Sequence, residues 1–289
     1  MSIIPFCEAA DPFVHKPTIA IPEGAVDCHA HVFSSRYPYC ETRTYTPPDA
    51  SVGAYLHLHQ QLGIRHGVLV QPSVYGNDNQ LHLDTLRYFR QQGYDYKGVA
   101  VVDADVSEQT LDELQEAGFC GVRMNLLFKG GIEWRDVERL AARLAERHWH
   151  LQCLIDVSQF DDLYHRLRAL PVPVVIDHLG HMPTNKLISH PGFQTLLKLK
   201  AEGKVWTKLS APYRLSPQSP PYDDVSPFAQ ALLEANEEQC VWGSDWPHPC
   251  FAAEMPNDGQ LLDTLWHWTQ DTTLFGKILV DNPKRLYRF

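Results

Sequence analysis

The sequence has 289 residues, of which 44% are hydrophobic and 21% charged, and its formal net charge is −10 at pH 7. It has no apolar run of about 18 residues, which argues against a membrane span, and it lacks the clustered basic residues that nucleic-acid binding needs. Seven scattered cysteines without a C-x-x-C pair predict neither a disulfide framework nor a thiolate zinc site, so we expect a reduced, cytoplasmic protein.

In chain order, an N-terminal segment precedes a long alternation of strand and helix patterns. Residues 1–22 carry acids and prolines but no basic, apolar signal-peptide pattern, so we interpret them as an arm on residues 23–289. Eight β-rich runs then alternate with helical patterns, which is the order of a closed (β/α)₈ TIM barrel of ~250 residues. The sequence therefore predicts an α/β fold with a single barrel domain, residues 23–289. The runs are AVDCHAHVF (25–33), HGVLVQPSVYG (66–76), YKGVAVVDADV (96–106), GVRMNLLF (121–128), HLQCLIDV (150–157), VPVVIDHLG (172–180), KVWTKLSAPY (204–213) and QCVWGSDWPH (239–248).

Two of the intervening helices have clear local signals. In TLDELQEAG, Thr110 and Glu113 have the spacing of a capping box, and Gly118 follows as a C-terminal glycine. In WRDVERLAARLAERH, apolar residues such as Val137 and Leu144 recur at helical spacing, with charged residues on the other face. We assign these apolar stripes to the core.

The first strand ends in a His-x-His pair, His29 and His31. The 15 histidines form three such pairs, where chance alone predicts about one. The other two pairs fall in a predicted helix and at a helix–strand junction, where residues two apart do not converge. Alternate residues of a strand face the same side, so this first pair predicts a metal site or a substrate site.

TIM-barrel enzymes carry their catalytic residues at the C-terminal ends of the strands. Polar residues at the predicted strand ends are therefore the candidates for a site. Two long loops, SSRYPYCETRTYTPPDAS and PHPCFAAEMPNDG, follow the first and last strands and belong to the same face. The candidates are His29, His31, Ser73, Arg123, His178, Arg214 and Asp245.

Each candidate also has a structural alternative. Asp245 in WGSDWP is either a turn or cap residue or a general base that takes a proton from water. His178 is either a core histidine or a donor to a developing oxyanion. Arg123 in a buried strand either pairs with an acid or binds a ligand carboxylate. Lys129 and Arg214 are either solvated or add positive charge to the same pocket.

The sequence also resembles a known family. The motifs VDCHAHVF, YTPPDA, VVIDHLG, KLSAPYR, GSDWPHP and DNPKRLYRF together resemble the amidohydrolase-superfamily branch of the 2-pyrone-4,6-dicarboxylate lactonases and related lactone hydrolases. The resemblance runs from about residue 22 to residue 289. It implies a TIM barrel in which Asp245 activates water, while imidazoles on strands one and six polarise the lactone carbonyl. Those imidazoles are His29, His31 and His178.

The resemblance further implies a pocket for anionic groups. The matching substrate-binding positions are Tyr45, Ser73, Arg123 and Arg214. After strand four the family pattern has a second arginine, whereas this chain has Lys129, a point charge without the bidentate fork. The substrate is therefore expected to be a small anionic lactone, such as 2-pyrone-4,6-dicarboxylate or a muconolactone from the degradation of aromatic compounds.

A metal is the main alternative within this mechanism. His29, His31 and Asp245 have the ligand types of a single catalytic zinc site. Arg123 places a permanent positive charge where a second metal would lie. Because the resemblance implies catalysis without metal, we expect that no cofactor is required, with one zinc at those three residues as the alternative.

Three other functions remain open from the sequence. A zinc-dependent decarboxylase of an aromatic or muconate-type acid would contain near-stoichiometric zinc, and a sugar-lactone hydrolase would open neutral aldonolactones. A non-catalytic barrel has no need to collect Asp, His and Arg residues at one end. The sequence predicts no oligomeric state.

Overall fold

The computed structural model describes residues 4–125, 127 and 134–289. Eight parallel strands pair in chain order and alternate with helices, which confirms the predicted TIM barrel. The strands are buried because helices cover the outside of the barrel and side chains fill the inside. They are β1 (Val26–Ala30), β2 (His66–Val70), β3 (Tyr96–Ala100), β4 (Phe119–Asn125), β5 (His150–Leu154), β6 (Val174–Ile176), β7 (Val205–Ser210) and β8 (Cys240–Gly243).

Helices surround the strands, and none of those described is long and apolar enough to cross a membrane. The buried side chains of Val137 and Leu144 confirm the predicted apolar stripe. The helices are α1 (Val52–Leu62), α2 (Gln80–Gln91), α3 (Glu108–Ala117), α4 (Trp134–Glu146), α5 (Leu163–Arg168), α6 (Pro191–Ala201), α7 (Ser226–Asn236), α8 (Asp258–Thr269), α9 (Thr272–Gly276) and α10 (Asn282–Tyr287).

The start of α3 differs from the prediction. The N-cap is Ser107, whose hydroxyl accepts the backbone N–H of Thr110 at 3.0 Å, so the capping box at Thr110 was wrong. Thr110 already lies inside the first turn, where its backbone N–H needs a partner upstream. The predicted C-terminal glycine is confirmed, since Gly118 has a φ of 108° that favours glycine.

The barrel closes at a seam between β1 and β8. The backbone N–H of Asp245 donates to the carbonyl of His29, and that of His31 donates to the carbonyl of Trp246, both at 2.8 Å. Gly243 permits this close approach, because a Cβ at that position would lie 2.6 Å from the Cβ of His29. The hydrogen bonds of the seam therefore fix the backbone of the predicted catalytic residues His29, His31 and Asp245.

Asp27, a fully buried carboxylate that the sequence analysis did not single out, fastens this seam. Its Oδ1 accepts the backbone N–H groups of His29 at 3.1 Å and of Ser244 at 2.8 Å, which join β1 to the segment after β8. Its Oδ2 accepts the hydroxyls of Ser244 at 2.6 Å and of Tyr55 at 3.1 Å, and it lies 3.4 Å from Nε2 of His59. The Asp27 side chain thus fixes the distance between the first and the last strand of the barrel.

Candidate active site

A pocket lies at the C-terminal ends of the barrel strands. Seven of the nine predicted site residues line this pocket, and His29 lies directly behind His31 and His178. Lys129, the ninth, lies outside the described residues. The seven are His31, Tyr45, Ser73, Arg123, His178, Arg214 and Asp245.

Ser73, His178 and Asp245 stand just beyond the strands at whose ends they were predicted, and Arg214 follows β7, as predicted. Ser73 and Arg214 lie in short 3₁₀ turns, Ser73–Tyr75 and Pro212–Arg214, and His178 begins another turn after β6. Asp245 follows β8, and its φ of 62° and the φ of 47° at His178 lie in the left-handed region. Such backbone conformations are unfavourable for non-glycine residues and occur where a side chain is held in a functional orientation.

Two strong donors bind the same carboxylate oxygen of Asp245. Its Oδ2 accepts the hydroxyl of Tyr213 and the Nε–H of Arg214, both at 2.7 Å. Burial raises the pKa of this carboxyl, but the adjacent guanidinium and the nearby imidazoles lower it well below its usual value. Asp245 is therefore ionised at neutral pH, and its other oxygen, Oδ1, faces the pocket histidines.

Three imidazoles surround Asp245 Oδ1. The Nε2 atoms of His29, His31 and His178 lie 3.7, 3.6 and 3.8 Å from it. Burial lowers the pKa of all three, that of His29 to about 3, so they are neutral at neutral pH. His31 donates its Nδ1–H to the carbonyl of Val70 at 2.6 Å, which leaves a lone pair on Nε2. The Nδ1 of His178 lies 2.8 Å from the hydroxyl of Ser210.

A buried group of charges behind the imidazoles was not predicted. The Nζ of Lys208 donates to Gln152 at 2.8 Å and lies 3.2 Å from Nδ1 of His29 and 3.5 Å from Oδ1 of Asp177. Asp177 in turn lies 3.4 Å from Nε of Arg123. Since an ammonium group can only donate, its contact favours the tautomer of His29 with a lone pair on Nδ1 and the proton on Nε2.

The sequence contained a signal for both missed charges. Lys208 in VWTKLS and Asp177 in VVIDHLG are ionisable residues inside apolar strand patterns, the same feature that drew attention to Arg123. Tyr213 belongs to the motif KLSAPYR but had no feature that distinguished it from a core aromatic residue. His181, three residues after His178, also lines the pocket and was missed.

The charges around the pocket do not cancel. Among the described residues that line the pocket, two cations, Arg123 and Arg214, face one carboxylate, Asp245. The surplus is positive, and because these groups are largely buried, solvent screens it only weakly. A small ligand that carries a negative charge is therefore favoured here.

Comparison with known proteins identifies the family. The family model described as amidohydrolase matches residues 26–289. The chain belongs to the amidohydrolase family. It is 36% identical to 2-pyrone-4,6-dicarboxylate hydrolase of Comamonas testosteroni, over 94% of this chain and 92% of that protein. It is 34% identical to 4-sulfomuconolactone hydrolase of Hydrogenophaga intermedia, over 99% and 96%.

A solved structure agrees with this assignment. This chain superposes with a TM-score of 0.82 on an Acinetobacter baumannii protein, which is described as a probable 2-pyrone-4,6-dicarboxylic acid hydrolase with citric acid bound. The two chains are 28% identical, and the match covers 92% of this chain and 100% of the other. The sequence motifs resemble those of the amidohydrolase superfamily, and this resemblance is confirmed.

The amidohydrolase also contains the ligand types for one divalent metal ion. His29, His31 and Asp245 each offer an atom within 4.8 Å of the other two, and Nε2 of His29 has no hydrogen-bond partner among the described residues. Two imidazoles and one carboxylate suit zinc in number and type. To bind it, His29 would need its proton on Nδ1, toward Asp177 at 3.3 Å, rather than on Nε2.

Proposed function

We propose that this protein is a hydrolase that opens a small lactone carrying one or two anionic groups, with water as the nucleophile. The observation that carries the proposal is the ionised Asp245, whose Oδ1 faces three neutral imidazoles in a pocket with surplus positive charge. Two relatives support it, since both are named as hydrolases of anionic lactones, one a dicarboxylate and the other a sulfonate.

In the first step, Oδ1 of Asp245 accepts a proton from water while the water oxygen attacks the lactone carbonyl carbon. Charge develops on the carbonyl oxygen, and in this proposal the Nε2–H groups of His29 and, in the tautomer in which Ser210 donates to Nδ1, of His178 donate to it. Because both imidazoles are neutral, they stabilise this charge without transferring a proton.

The ring opens when the tetrahedral intermediate collapses. The bond between the carbonyl carbon and the ring oxygen breaks, and the proton held on Asp245 passes to the departing oxygen. The products are a hydroxyl group and a carboxylic acid, which then releases its proton to solvent as a carboxylate, and Asp245 returns to its ionised form. No atom other than those of water and substrate is gained or lost.

We assign His31 a different role from that of the other two imidazoles. Its Nδ1–H is committed to the Val70 carbonyl, so its Nε2 can only accept a hydrogen bond while the ring is neutral. This arrangement suits a residue that orients the attacking water beside Asp245, rather than one that donates to the carbonyl oxygen.

The anionic groups of the substrate are assigned to the cationic side of the pocket. Arg123 and Arg214 line it, together with the hydroxyl-bearing residues Tyr45 and Ser73. A guanidinium group binds a carboxylate or sulfonate through two parallel hydrogen bonds. Arg123 is also paired with Asp177, so it holds its position before the ligand arrives.

A panel of lactones tests the substrate class. We expect kcat/KM to fall by at least about 10²-fold from 2-pyrone-4,6-dicarboxylate to an uncharged pyrone of the same ring, because charge-assisted hydrogen bonds are lost. Neutral aldonolactones are the comparison for a sugar-lactone hydrolase, and release of CO₂ from muconate-type acids would identify a decarboxylase. Faster opening of the neutral lactones would contradict the proposal.

Metal dependence is a separate prediction. A divalent ion held by His29, His31 and Asp245 would act as a Lewis acid on the carbonyl oxygen. We expect that protein dialysed against a chelator keeps its rate, because the surplus positive charge opposes a further dication. Metal content by mass spectrometry and turnover would be measured on the same samples. A loss of turnover that added zinc restores would show that the metal is required.

Replacement of Arg214 should affect catalysis as well as binding, because its Nε contacts the proposed base directly. For Arg214→Lys we expect kcat to fall about tenfold and KM to rise about tenfold, since lysine lacks the fixed fork. Arg123→Lys is the matched comparison, because Arg123 lies in the pocket but has no contact with Asp245 among those described. Its change should lie mainly in KM, and equal losses of kcat in both variants would contradict the assignment.

A further inference from the structure

A line of buried polar groups leads from Asp245 away from the pocket. The hydroxyl of Tyr213 lies 2.7 Å from Oδ2 of Asp245 and 2.9 Å from Nδ1 of His248. On the far side of this ring, Nε2 lies 3.4 Å from Oδ1 of Asp258. All four side chains are buried, at 5% exposure or less. The proposed reaction uses only Asp245, so the role of the other three remains to be explained.

The direction of these hydrogen bonds follows from counting protons. Ionised Asp245 can only accept, so the single hydroxyl proton of Tyr213 points at it. The Tyr213 oxygen must then accept, which requires a proton on Nδ1 of His248. If the ring is neutral, Nε2 carries a lone pair that faces Asp258, and that carboxyl must hold a proton.

His248 and Asp258 therefore share one proton beyond the one on Nδ1. Nε2 of His248 and Oδ1 of Asp258 lie 3.4 Å apart, at ion-pair distance, and neither has a hydrogen-bond partner among the described residues. Burial raises the pKa of Asp258, which favours a proton on this pair. Whether that proton is on the ring or on the carboxyl, the pair carries no net charge, and Nδ1–H of His248 stays a donor.

We propose that His248 and Asp258 are positioning residues. They hold the hydroxyl of Tyr213 in the orientation in which it donates to Asp245 and accepts from His248. Together with Arg214, Tyr213 then occupies Oδ2 and leaves Oδ1 as the atom that takes the proton from water. The catalytic consequence of this inference rests on the proposed function. The direction of the hydrogen bonds is a property of the protein without substrate and does not depend on the reaction.

The backbone supports this arrangement from both ends. His248 has a φ of 60°, and its N–H donates to the carbonyl of Asp245 at 2.7 Å, so the two side chains are fixed by one tight turn. Asp258 is the first residue of α8, directly after the N-cap Asn257. A left-handed residue on one side and a capped helix start on the other leave the ring of His248 little freedom to turn.

The first test measures the ring nitrogens of His248 in the protein without substrate. Histidine labelled with ¹⁵N would be followed by NMR, and the His248 signals assigned by their loss in His248→Asn. We expect a protonated Nδ1. A neutral ring with its proton on Nε2 and none on Nδ1 would overturn the proposal, whatever reaction the protein catalyses.

The second test is a double-mutant cycle on lactone hydrolysis. For His248→Leu we expect kcat to fall about 30-fold with KM within about twofold, because the base is misoriented while the pocket is intact. In a Tyr213→Phe background the same change should cost less than about threefold, since the residue through which it acts is gone. His248→Asn, whose amide nitrogen replaces Nδ1, should restore kcat to within about threefold of the parent.

The outcomes separate the two proposals. Additive losses in the cycle, or no rescue by asparagine in a protein whose melting temperature equals that of the parent, would contradict the positioning role. A protein with a protonated Nδ1 but no turnover of any lactone would refute the proposed function and leave the hydrogen-bond direction intact. If His248→Leu does not fold, the NMR result and the asparagine variant still decide the question.

Discussion

Asp245→Asn is expected to lower kcat for lactone hydrolysis by about 10³-fold, because an amide cannot accept the proton that water must lose. The amide can still accept the hydroxyl of Tyr213, so the fold and the pocket are expected to survive. Initial rates with an anionic lactone, and binding of the ring-opened product by calorimetry, would be measured on the same preparation. The effect should appear in kcat, with product binding changed far less.

A matched variant separates the loss of the base from the loss of one charge. Asp162→Asn makes the same chemical change at an exposed site before α5, where the carboxylate pairs with Arg166. It should turn over at the parental rate. If Asp245→Asn also retained more than a tenth of the parental rate, the general base would have to be another group.

Lys208→Met is expected to have the largest effect on stability, a loss of about 3–5 kcal/mol in the free energy of unfolding. The ammonium group is fully buried and lies 3.5 Å from Asp177. Among the described residues, its removal leaves Arg123, at 3.4 Å, as the one cation beside that carboxylate. Urea denaturation followed by far-UV circular dichroism gives the change directly. Lys208→Met should also shift His29 toward the tautomer with its proton on Nδ1, which then faces Asp177 at 3.3 Å.

Lys200→Met is the control for a buried lysine as such. Lys200 is equally buried, but its Nζ contacts the carbonyl of Gln239 at 3.2 Å and the thiol of Cys240 at 3.3 Å rather than a carboxylate. Its replacement should cost less, about 1.5–3 kcal/mol, because the lost hydrogen bonds join a charged donor to neutral acceptors and no unpaired carboxylate is left behind. Equal losses in the two variants would show that the charge of Asp177 is not the cause.

The barrel could be predicted because its determinants are local. Strands covered on both faces need nearly continuous apolar runs, and eight such runs alternate with helical patterns in this chain. The ends of the strands were predicted less well. Residues such as Asp245 and His178 follow apolar runs without a break, and their left-handed backbone comes from the tertiary contacts that hold them.

The candidate site was predictable only in part, for a similar reason. His29, His31 and Asp245 could be named because strands of one barrel end at one face. The contacts of Lys208 with His29, and of His248 with Tyr213 and Asp258, join residues from distant parts of the chain. No local pattern encodes these pairings, so the direction of the hydrogen bonds emerges only from the folded structure.

The seam has a consequence for how the protein is made. Asp27 and Ser244, joined across it, are 217 positions apart in the chain. On a ribosome, the first strand emerges long before the last one is synthesised. Until then the carboxylate of Asp245 is not beside the imidazoles. With Asp245 as the proposed general base, we expect a nascent chain whose last strand has not docked to be inert toward lactones.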